Sequence, residues 1–485
     1  MASEEVDYTV PLHVRKYLTS LGYELCDGVM TDLIDQWRDC YASRGEFYDY
    51  HDKDGMGHTL KIHRRSCKPA KRVCKEWAAL MFSDPITVSC DDEACNAWLA
   101  DYLERINFFG NGKQLVQDAF ALGTGAWALW LDLTAQKMQV RRYKAKQVLP
   151  LTWDDDGVTE CAFTSRVAIG GKVLDQVQLH VSEPDGYHIK TVLFDRKTKK
   201  RVAVDGVVDD LATDCETPTF ALVKPAISNT FVDITPYGQS VFADSIDEVQ
   251  AVDLCFDAIF NEVDLAKLRI FIDDMLIDVQ DKDGNRQAIP FGKNDNTVYR
   301  RVNGVGDGQP IVPFAPQMRT EQQVSAYRLA IQKLGDDCGF GKKYFDIDAA
   351  GGMKTAQEVV SDNADLMRNI RSHERLMQGA IADICRALCH CATKFLGAGL
   401  GDPGTITVNW DDSVIVDTQA EKAQDQSELN VTLNPWEYRR KWYGESEEEA
   451  KANVPGAIAE DDYASFGEQY CLTRRRTRAP NRRTL

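Results

Sequence analysis

Apolar residues recur at spacings of three and four along the first part of the chain. The segments DGVMTDLIDQW and CKPAKRVCKEWAALMF show this spacing clearly. Residues three and four apart lie on one face of an α-helix. The sequence therefore predicts a helical region that extends to about residue 110.

Between residue 126 and about residue 208 the pattern changes to alternation of apolar and polar positions. Val177, Leu179 and Val181 alternate with polar residues, and a turn at Asp185-Gly186 follows them. A period of two, interrupted by glycine-containing turns, is typical of β-hairpins. The prediction for this region is a meandering antiparallel sheet.

The segment 240–268 has the pattern of an acidic amphipathic helix. Its apolar residues fall on one side: Phe242, Ile246, Val249, Phe256, Phe260 and Val263. Its acidic residues occupy the remainder: Asp244, Asp247, Glu248, Asp257, Glu262 and Asp264. The simplest interpretation is a solvated face on an ordinary helix.

A turn-rich insertion follows at residues 269–317. It contains DKDGN, FGKNDN and NGVGDGQP around short apolar runs such as IVPF, which predicts a small β-rich module. A second helix is predicted at 318–338, with a capping box at Thr320–Gln323. Two helices therefore flank one small insert, which places the insert at the tip of a helical hairpin.

The segment 339–354 is a predicted loop of mixed chemistry. It has glycines near both ends, two adjacent lysines (Lys342 and Lys343) and apolar residues that include Tyr344 and Phe345. A capping box at Thr355–Glu358 predicts that a long helix begins after it. The apolar stripe of that helix runs to Phe395, which corresponds to a length of roughly 60 Å.

Composition narrows the classes of function. The chain has 485 residues, 44% of them hydrophobic, and a formal net charge of −18. Its length suggests two or three folding units, and its charge argues against wide gripping of nucleic acid, which needs a positive surface. Fourteen scattered cysteines are expected to be free thiols in a cytosolic setting. The acidic start and the absence of a long apolar run predict neither export nor a membrane span.

Enzyme motifs are absent from the sequence. DAAGGMKT resembles a phosphate-binding loop, but Asp348 and Met353 stand where that pattern requires glycines. The cluster Cys385, Cys389, His390 and Cys391 lies in the apolar stripe of the long helix, so buried thiols are favoured over a zinc site. The expectation is therefore no catalytic residue, no metal and no cofactor.

The order of several segments resembles the portal, or head-tail connector, family of tailed bacteriophages. The resemblance rests on KEWAALMFSDPITV, LGTGAWALWLD, PYGQSVFADSIDEVQ, APQMRTEQQ, KTAQEVVSDNADLMRNI, VNWDDSVIVDTQAEKAQ and WEYRRKWYGESEEEAKA. It covers roughly residues 20 to 455. It implies an α+β, portal-like fold with a helical and β wing, a two-helix stem, a small β-rich clip, a long central helix and a helical C-terminal crown.

The resemblance also implies a division of the chain. The expected parts are a wing at 1–239, stem helices at 240–268 and 318–338, a clip at 269–317, a tunnel loop at 339–354, the long helix with wing strands at 355–417, and a crown with a basic tail at 418–485.

Four groups of residues acquire expected roles from the resemblance. They are Asp244, Asp247, Glu248 and Asp257 as an acidic channel lining; Lys342, Lys343, Tyr344 and Phe345 as tunnel-loop residues; Lys293, Arg300 and Arg301 as partner-binding clip residues; and Arg474, Arg475 and Arg476 as a crown tail facing packed DNA. Carboxylates would repel passing phosphates, and the lysines would contact them transiently. Tyr344 and Phe345 would pack one loop against its neighbour. A plain connector and a solubilising tail remain alternatives for the loop and the tail.

The implied function is a dodecameric ring at one capsid vertex that conducts double-stranded DNA during packaging and ejection. The implied partners are further copies of the chain, DNA, the terminase large subunit, a head-tail adaptor and the major capsid protein, with a scaffolding protein as a further candidate. No membrane is expected. Assembly is expected in the host cytoplasm and final location in the virion. Two alternatives stay open: an oligomeric capsid-associated structural protein without DNA contact, and a hydrolase with an unrecognised site.

Overall fold

A computed structural model describes residues 8–53, 57–82, 86–132, 136–204, 206–273, 278–280, 286–288, 298–301, 311–345, 356–410, 422, 425–427, 429 and 433–454. The chain divides into two compact units, Met1–Asp411 and Asp412–Leu485. Among the helices within these ranges, none is both long and apolar enough to cross a membrane.

The first unit begins with five helices, one hairpin and a short strand. They are α1 (Leu12–Ser20), α2 (Gly28–Ala42), β1 (Asp49–Lys53), β2 (Thr59–His63), α3 (Pro69–Met81), β3 (Thr87–Cys90), α4 (Glu93–Arg105) and α5 (Phe108–Leu122). The predicted helical pattern is confirmed in α2, where Met30, Ile34 and Trp37 form the buried face. The strands β1 and β2 depart from the predicted all-helical start. Short and largely exposed strands leave little hydrophobic pattern in the sequence.

Eight strands then form two antiparallel sheets. They are β4 (Gly125–Asp132), β5 (Lys137–Lys144), β6 (Val148–Asp154), β7 (Gly157–Ile169), β8 (Lys172–Glu183), β9 (Gly186–Asp195), β10 (Asp210–Cys215) and β11 (Phe220–Val223). One sheet has the order β10-β9-β8-β7-β6 and the other β11-β4-β5. The predicted meander is confirmed. Gly170 and Gly171 have φ of 57° and 78°, as the tight β7–β8 turn requires.

The five-stranded sheet carries core packing on both faces. Val177, Leu179 and Val181 of β8 pack with Val14 and Leu18 of α1 in one apolar cluster. The intervening residues of β8 point to the opposite face, since side chains alternate along a strand. The opposite face is also covered, so the alternation seen in the sequence separates two buried layers rather than core from solvent.

On the opposite face, His180 packs edge-on against Phe163 and Phe220, with ring centroids 5.2 and 5.8 Å away. Its Nδ1 lies 2.6 Å from Oγ1 of Thr219. Burial lowers the pKa of His180 to about 3. This histidine is therefore a neutral core residue.

Two helices enclose the small β-rich insertion. The elements are α6 (Ile246–Leu265), β12 (Arg269–Asp273), β13 (Asp278–Gln280), β14 (Arg286–Ala288), β15 (Val298–Arg301), β16 (Ile311–Phe314) and α7 (Thr320–Asp337). β12 pairs in parallel with β15 and antiparallel with β16, and β13 pairs with β14. The predicted capping box at Thr320 is wrong, because α7 begins one residue earlier than that motif needs and Arg319 is its N-cap.

The long helix α8 (Ala356–Leu396) is confirmed at 41 residues. Its stripe from Leu366 to Leu388 is buried, and so are the thiols of Cys385, Cys389 and Cys391. The cysteines in the described ranges are all free. β17 (Ile406–Asn409) follows α8 and pairs with the distant strand β3. The capping box predicted at Thr355 lies outside the described residues.

In the second unit, the described helices are α9 (Pro435–Tyr443) and α10 (Glu447–Ala452). Asn434-Pro435 and the pair Ser446 and Glu449 are sequence patterns that predict helix starts, and both starts are confirmed. Asn434 forms a capping box with Glu437, and Ser446 forms one with Glu449. Each box satisfies backbone N–H groups that have no partner within the first turn of a helix.

Candidate functional site

The inner side of α6 is attached to the N-terminal helical region through buried carboxylates. Asp253 is fully buried and accepts hydrogen bonds from the Tyr48 hydroxyl (2.7 Å), the Ser66 hydroxyl (2.8 Å) and the Cys67 amide (2.8 Å). Three donors to one carboxylate offset the cost of burying its charge. This region is a rigid base for the helix.

Asp257 belongs to the same attachment. Its Oδ1 accepts from the Arg65 amide at 3.2 Å, and its Oδ2 accepts from Asn261 at 3.0 Å. The residue is 9% exposed. Burial contradicts the predicted place of Asp257 on a solvent-facing channel lining: a carboxylate four residues after Asp253 returns to the same side of the helix.

A third carboxylate connects the end of α6 to the start of α7. Glu262 accepts from the Arg319 amide (3.1 Å), from Arg319 Nε (3.2 Å) and from Arg319 Nη2 (2.8 Å). These hydrogen bonds hold the pKa of Glu262 below its ordinary value. The contact closes the base of the insertion, where the chain leaves α6 and returns into α7.

The apolar stripe of α6 begins with buried residues and ends with exposed ones. Val249 and Val252 are fully buried, and Phe256 is half-buried against Tyr327 of α7. Phe260 and Val263 continue the stripe at spacings of four and three, yet they are 44% and 49% exposed. The sequence prediction of one apolar side is correct, but its distal residues Phe260 and Val263 stay partly exposed among the residues that the structure describes.

Further large apolar side chains are exposed on the same two helices and at the base of the insertion. The set, here called the stem apolar surface, is Leu254, Phe260, Val263, Leu268, Ile311, Phe314, Met318 and Leu329, each between 44% and 70% exposed. Leu254 and Leu329 lie off the buried stripes of their helices. Large apolar side chains exposed in such number on two helices that pack together are typical of protein contact surfaces.

The other predicted acidic positions lie at the start of α6. Asp244 is exposed and accepts from Gln239 Nε2 at 2.7 Å and Thr230 Oγ1 at 3.4 Å. Asp247 is exposed and Glu248 half-buried, both in the first helical turn. Carboxylates there also stabilise the positive end of the helix dipole, so a local structural role accounts for part of their presence.

The beginning of the predicted tunnel loop packs on the chain itself. Trp77 of α3 donates from Nε1 to the Cys338 carbonyl at 3.1 Å and stacks near Phe340, with ring centroids 4.6 Å apart. Phe345 is 6% exposed and lies against Phe340 and the Arg72 guanidinium. Its burial contradicts the predicted packing of Phe345 against a neighbouring loop.

Tyr344 is also held within the chain. Its hydroxyl donates to Glu76 Oε2 at 3.1 Å, and burial together with this carboxylate raises the pKa of Tyr344. Lys342 and Lys343 are exposed. The structure thus separates two anchoring aromatic residues from two surface lysines. The rest of the loop lies outside the described residues.

The remaining predicted site residues are not brought together by the described structure. Arg300 and Arg301 lie in β15, opposite Ile272 and Asp273 of β12. Lys293 and the tail arginines Arg474, Arg475 and Arg476 lie outside the described residues. The Glu262–Arg319 contact was not predicted from the sequence. An acidic residue near the end of one helix and an arginine just before the next helix could have indicated it.

Comparison with known proteins identifies the family to which this chain belongs. A family model described as "Phage portal protein, SPP1 Gp6-like" matches residues 31–433. Phage portal proteins are structural components of the virion, located at the portal of the capsid. The chain belongs to the SPP1 Gp6-like phage portal family, and the resemblance seen in the sequence is confirmed.

The solved structures that this chain matches include chains from gene transfer agent (GTA) particles. A chain from the virion of a native GTA particle is 12% identical, with a TM-score of 0.38 over 78% of this chain and 90% of that chain. A chain from the neck of a native GTA particle, computed with C12 symmetry, is 13% identical, with a TM-score of 0.36 over 76% and 88%. No curated protein matches the sequence.

Proposed function

We propose that the chain is a subunit of a closed portal ring, twelve copies in number, that conducts double-stranded DNA. The observation that carries the proposal is the stem apolar surface, in which the stripe of α6 continues into residues that are 44–49% exposed in the described part of the chain. A ring requires contacts between two different faces of each subunit. Phe260 and Val263 on the stripe, with Leu254 and Leu329 off it, supply apolar residues on more than one face of the helix pair.

The proposed channel contacts follow from the surface positions of charged residues. Asp244, Asp247 and Glu248 are the acidic groups left near solvent at the start of α6, where they would repel phosphates and let DNA slide. Lys342 and Lys343 remain the proposed transient phosphate contacts. Tyr344, Phe345 and Asp257 are instead assigned to anchoring, because each is already engaged within its own chain.

The insertion between α6 and α7 is the proposed docking site for the terminase large subunit and the head-tail adaptor. β15 is an edge strand of its sheet, and an edge strand offers unpaired backbone groups to a partner. Lys293, Arg300 and Arg301 would add charge complementarity. The wing would meet the major capsid protein, and the arginine tail the packed DNA, after assembly with scaffolding protein in the host cytoplasm.

The test of ring formation is Leu329→Glu, compared with Leu12→Glu. Both leucines are highly exposed, 70% and 67%, but Leu12 lies on α1, outside the stem apolar surface. Leu329→Glu should abolish rings in native mass spectrometry while circular dichroism stays unchanged, because an exposed substitution costs a folded chain little. Leu12→Glu should assemble normally.

Rings that form equally well in both variants would remove the stem apolar surface as the subunit contact. The competing function, a capsid-associated structural protein that never contacts DNA, is distinguished by particles of the wild-type chain. Rings without a central channel wide enough for a duplex would favour it.

A further inference from the structure

A surface cavity of about 660 Å³ lies where the start of α1 meets the five-stranded sheet. Its walls are formed by residues 9–13, Lys16 of α1, Arg166 of β7, Asp175 of β8, and Arg196 and Lys199 of the turn after β9. None of these residues belongs to the stem helices or to the loop between α7 and α8. The cavity is therefore separate from the groups proposed to line the ring channel.

The start of α1 brings backbone donors to this cavity. Pro11 is the N-cap residue and makes no side-chain cap hydrogen bond. The first amides that donate within the helix are those of Val14 and Arg15, both to the Pro11 carbonyl, at 2.9 and 3.2 Å. The amides of Leu12 and His13 therefore precede the intrahelical hydrogen bonds, at the positive end of the helix dipole. A helix end of this kind favours a bound anion.

The side chains around the cavity are mainly cationic. Four positive charges come from Lys16, Arg166, Arg196 and Lys199, and one negative charge comes from Asp175. Burial lowers the pKa of His13, so this residue is neutral at pH 7. The walls thus carry a net charge of plus three, on a chain whose formal net charge is −18. The ligand that this local field attracts is an anion.

Asp175 is the buried residue of the cavity wall, at 2% exposed. Its Oδ1 lies 3.6 Å from Arg196 Nε and 3.9 Å from Arg166 Nε, both longer than a hydrogen bond. Its Oδ2 lies 3.3 Å from His13 Nε2. Within the described part of the chain, no group donates a hydrogen bond to Oδ1. A buried acceptor without a donor is costly, and a ligand in the cavity can supply that donor.

Phosphate satisfies both the cations and the carboxylate. It retains a P–OH group at neutral pH, so its ionised oxygens can accept from the cations and the helix amides while its O–H donates to Asp175. Sulfate and the internal phosphodiesters of DNA are fully ionised and carry no such donor, so Asp175 would repel them. We propose that this cavity binds phosphate that carries a P–OH group, as the free anion or as the end group of a larger molecule, with Asp175 as the residue that selects it.

Isothermal titration calorimetry of the full chain at pH 7, with inorganic phosphate and with sulfate, tests the proposal. One phosphate is expected per chain. Sulfate should bind about tenfold more weakly or worse, because a charge-assisted hydrogen bond is replaced by repulsion. Asp175→Asn should remove this preference, since the neutral amide does not repel sulfate. Equal binding of the two anions by the wild type, or a preference that survives in a folded Asp175→Asn variant, would overturn the assignment.

Two lysines in the turn after β9 give a matched control that does not depend on the folding of the Asp175 variant. Lys199 lines the cavity, whereas Lys197 is not among its wall residues, and both are exposed. Lys199→Gln should weaken phosphate binding about fivefold or more, because one nearby positive charge is lost. Lys197→Gln should leave it unchanged. Equal weakening by the two substitutions would mean general surface attraction and would contradict a phosphate site.

The two sources of phosphate are distinguished with glycerol 3-phosphate at pH 6, where about half of a phosphate monoester carries the P–OH group. Binding as tight as that of inorganic phosphate at this pH assigns the cavity to an end group. Binding about tenfold weaker or worse assigns it to the free anion. A DNA duplex with hydroxyl ends contains only internal phosphodiesters, so its displacement of bound phosphate would refute the selective role of Asp175.

Discussion

Glu262 shows how a single side chain determines local structure at the base of the insertion. Its carboxylate receives the backbone amide and two guanidinium N–H groups of Arg319. The pKa of Glu262 is lowered by these hydrogen bonds. A lowered folded-state pKa stabilises the protein above the ordinary glutamic acid pKa, and this stabilisation is lost as pH falls through the folded value.

Glu262→Gln should therefore lower the melting temperature at pH 7, because the neutral amide keeps the shape of the side chain but loses the charge. The difference from wild type should shrink as pH falls below about 4.3, the ordinary pKa of a glutamate. Thermal unfolding over pH 3 to 7, at roughly unit steps, measures both effects.

Glu447→Gln is the control for this substitution. Glu447 pairs with Lys451 on the exposed surface of α10, one turn apart, where such pairs contribute little. A smaller shift than that of Glu262→Gln is expected. Equal shifts in the two variants, or a Glu262→Gln difference that persists at low pH, would contradict the role given to the Arg319 contact.

At the scale of elements, the loop between α7 and α8 contains two chemically distinct groups of residues. Its aromatic residues attach it to α3, and its lysines remain at the surface. Changing Lys342 and Lys343 together to alanine should leave ring assembly intact, because both side chains are exposed and exposed substitutions cost a folded chain little. Packaged DNA length should fall in an in vitro packaging assay, since transient phosphate contacts are lost.

The matched control removes the same charge elsewhere. Lys197 and Lys200 are exposed in the turn after β9, and their double alanine variant should package normally. Wild-type packaging by the Lys342 and Lys343 variant would leave the loop as a connector.

Elements with long periodic patterns could be predicted from the sequence, whereas contacts between them could not. The end of α6 at Leu265 and the end of α8 at Leu396 came close to prediction, because spacings of three and four over many residues admit few alternatives. The start of α6 lies six residues after the predicted residue 240. Phe345 was expected to pack against a neighbouring loop, since its contact with Arg72 joins residues far apart in the sequence. Asp257 looked like a solvated acid because Arg65, whose amide donates to it, lies far away in the sequence.

At the scale of the whole molecule, the formal charge of −18 per chain would add up over the copies of the proposed ring and would act on the DNA in its channel. Replacing Asp247 and Glu248 by lysine should slow DNA translocation without preventing ring formation, because positive groups at the channel wall would hold phosphates. Translocation rates with a purified motor, measured at several salt concentrations, should show that added salt partly restores the rate.

Asp155 and Asp156, in the turn between β6 and β7, provide the control for charge reversal. Their lysine variants change net charge equally and should translocate at the wild-type rate. If the Asp247 and Glu248 variant translocates DNA as fast as this control, the start of α6 does not face DNA.

The pairing of β3 with β17 imposes an order on synthesis. Cys90 is opposite Ile406, so the strand that follows α3 has no partner until the ribosome has reached the far end of α8. At about 5–20 residues per second, that wait lasts about 15–60 s. During this time β3 offers unpaired backbone groups to other nascent chains on the same message. Chains released before Asn409 retain this exposed strand permanently and should be prominent among aggregates during expression.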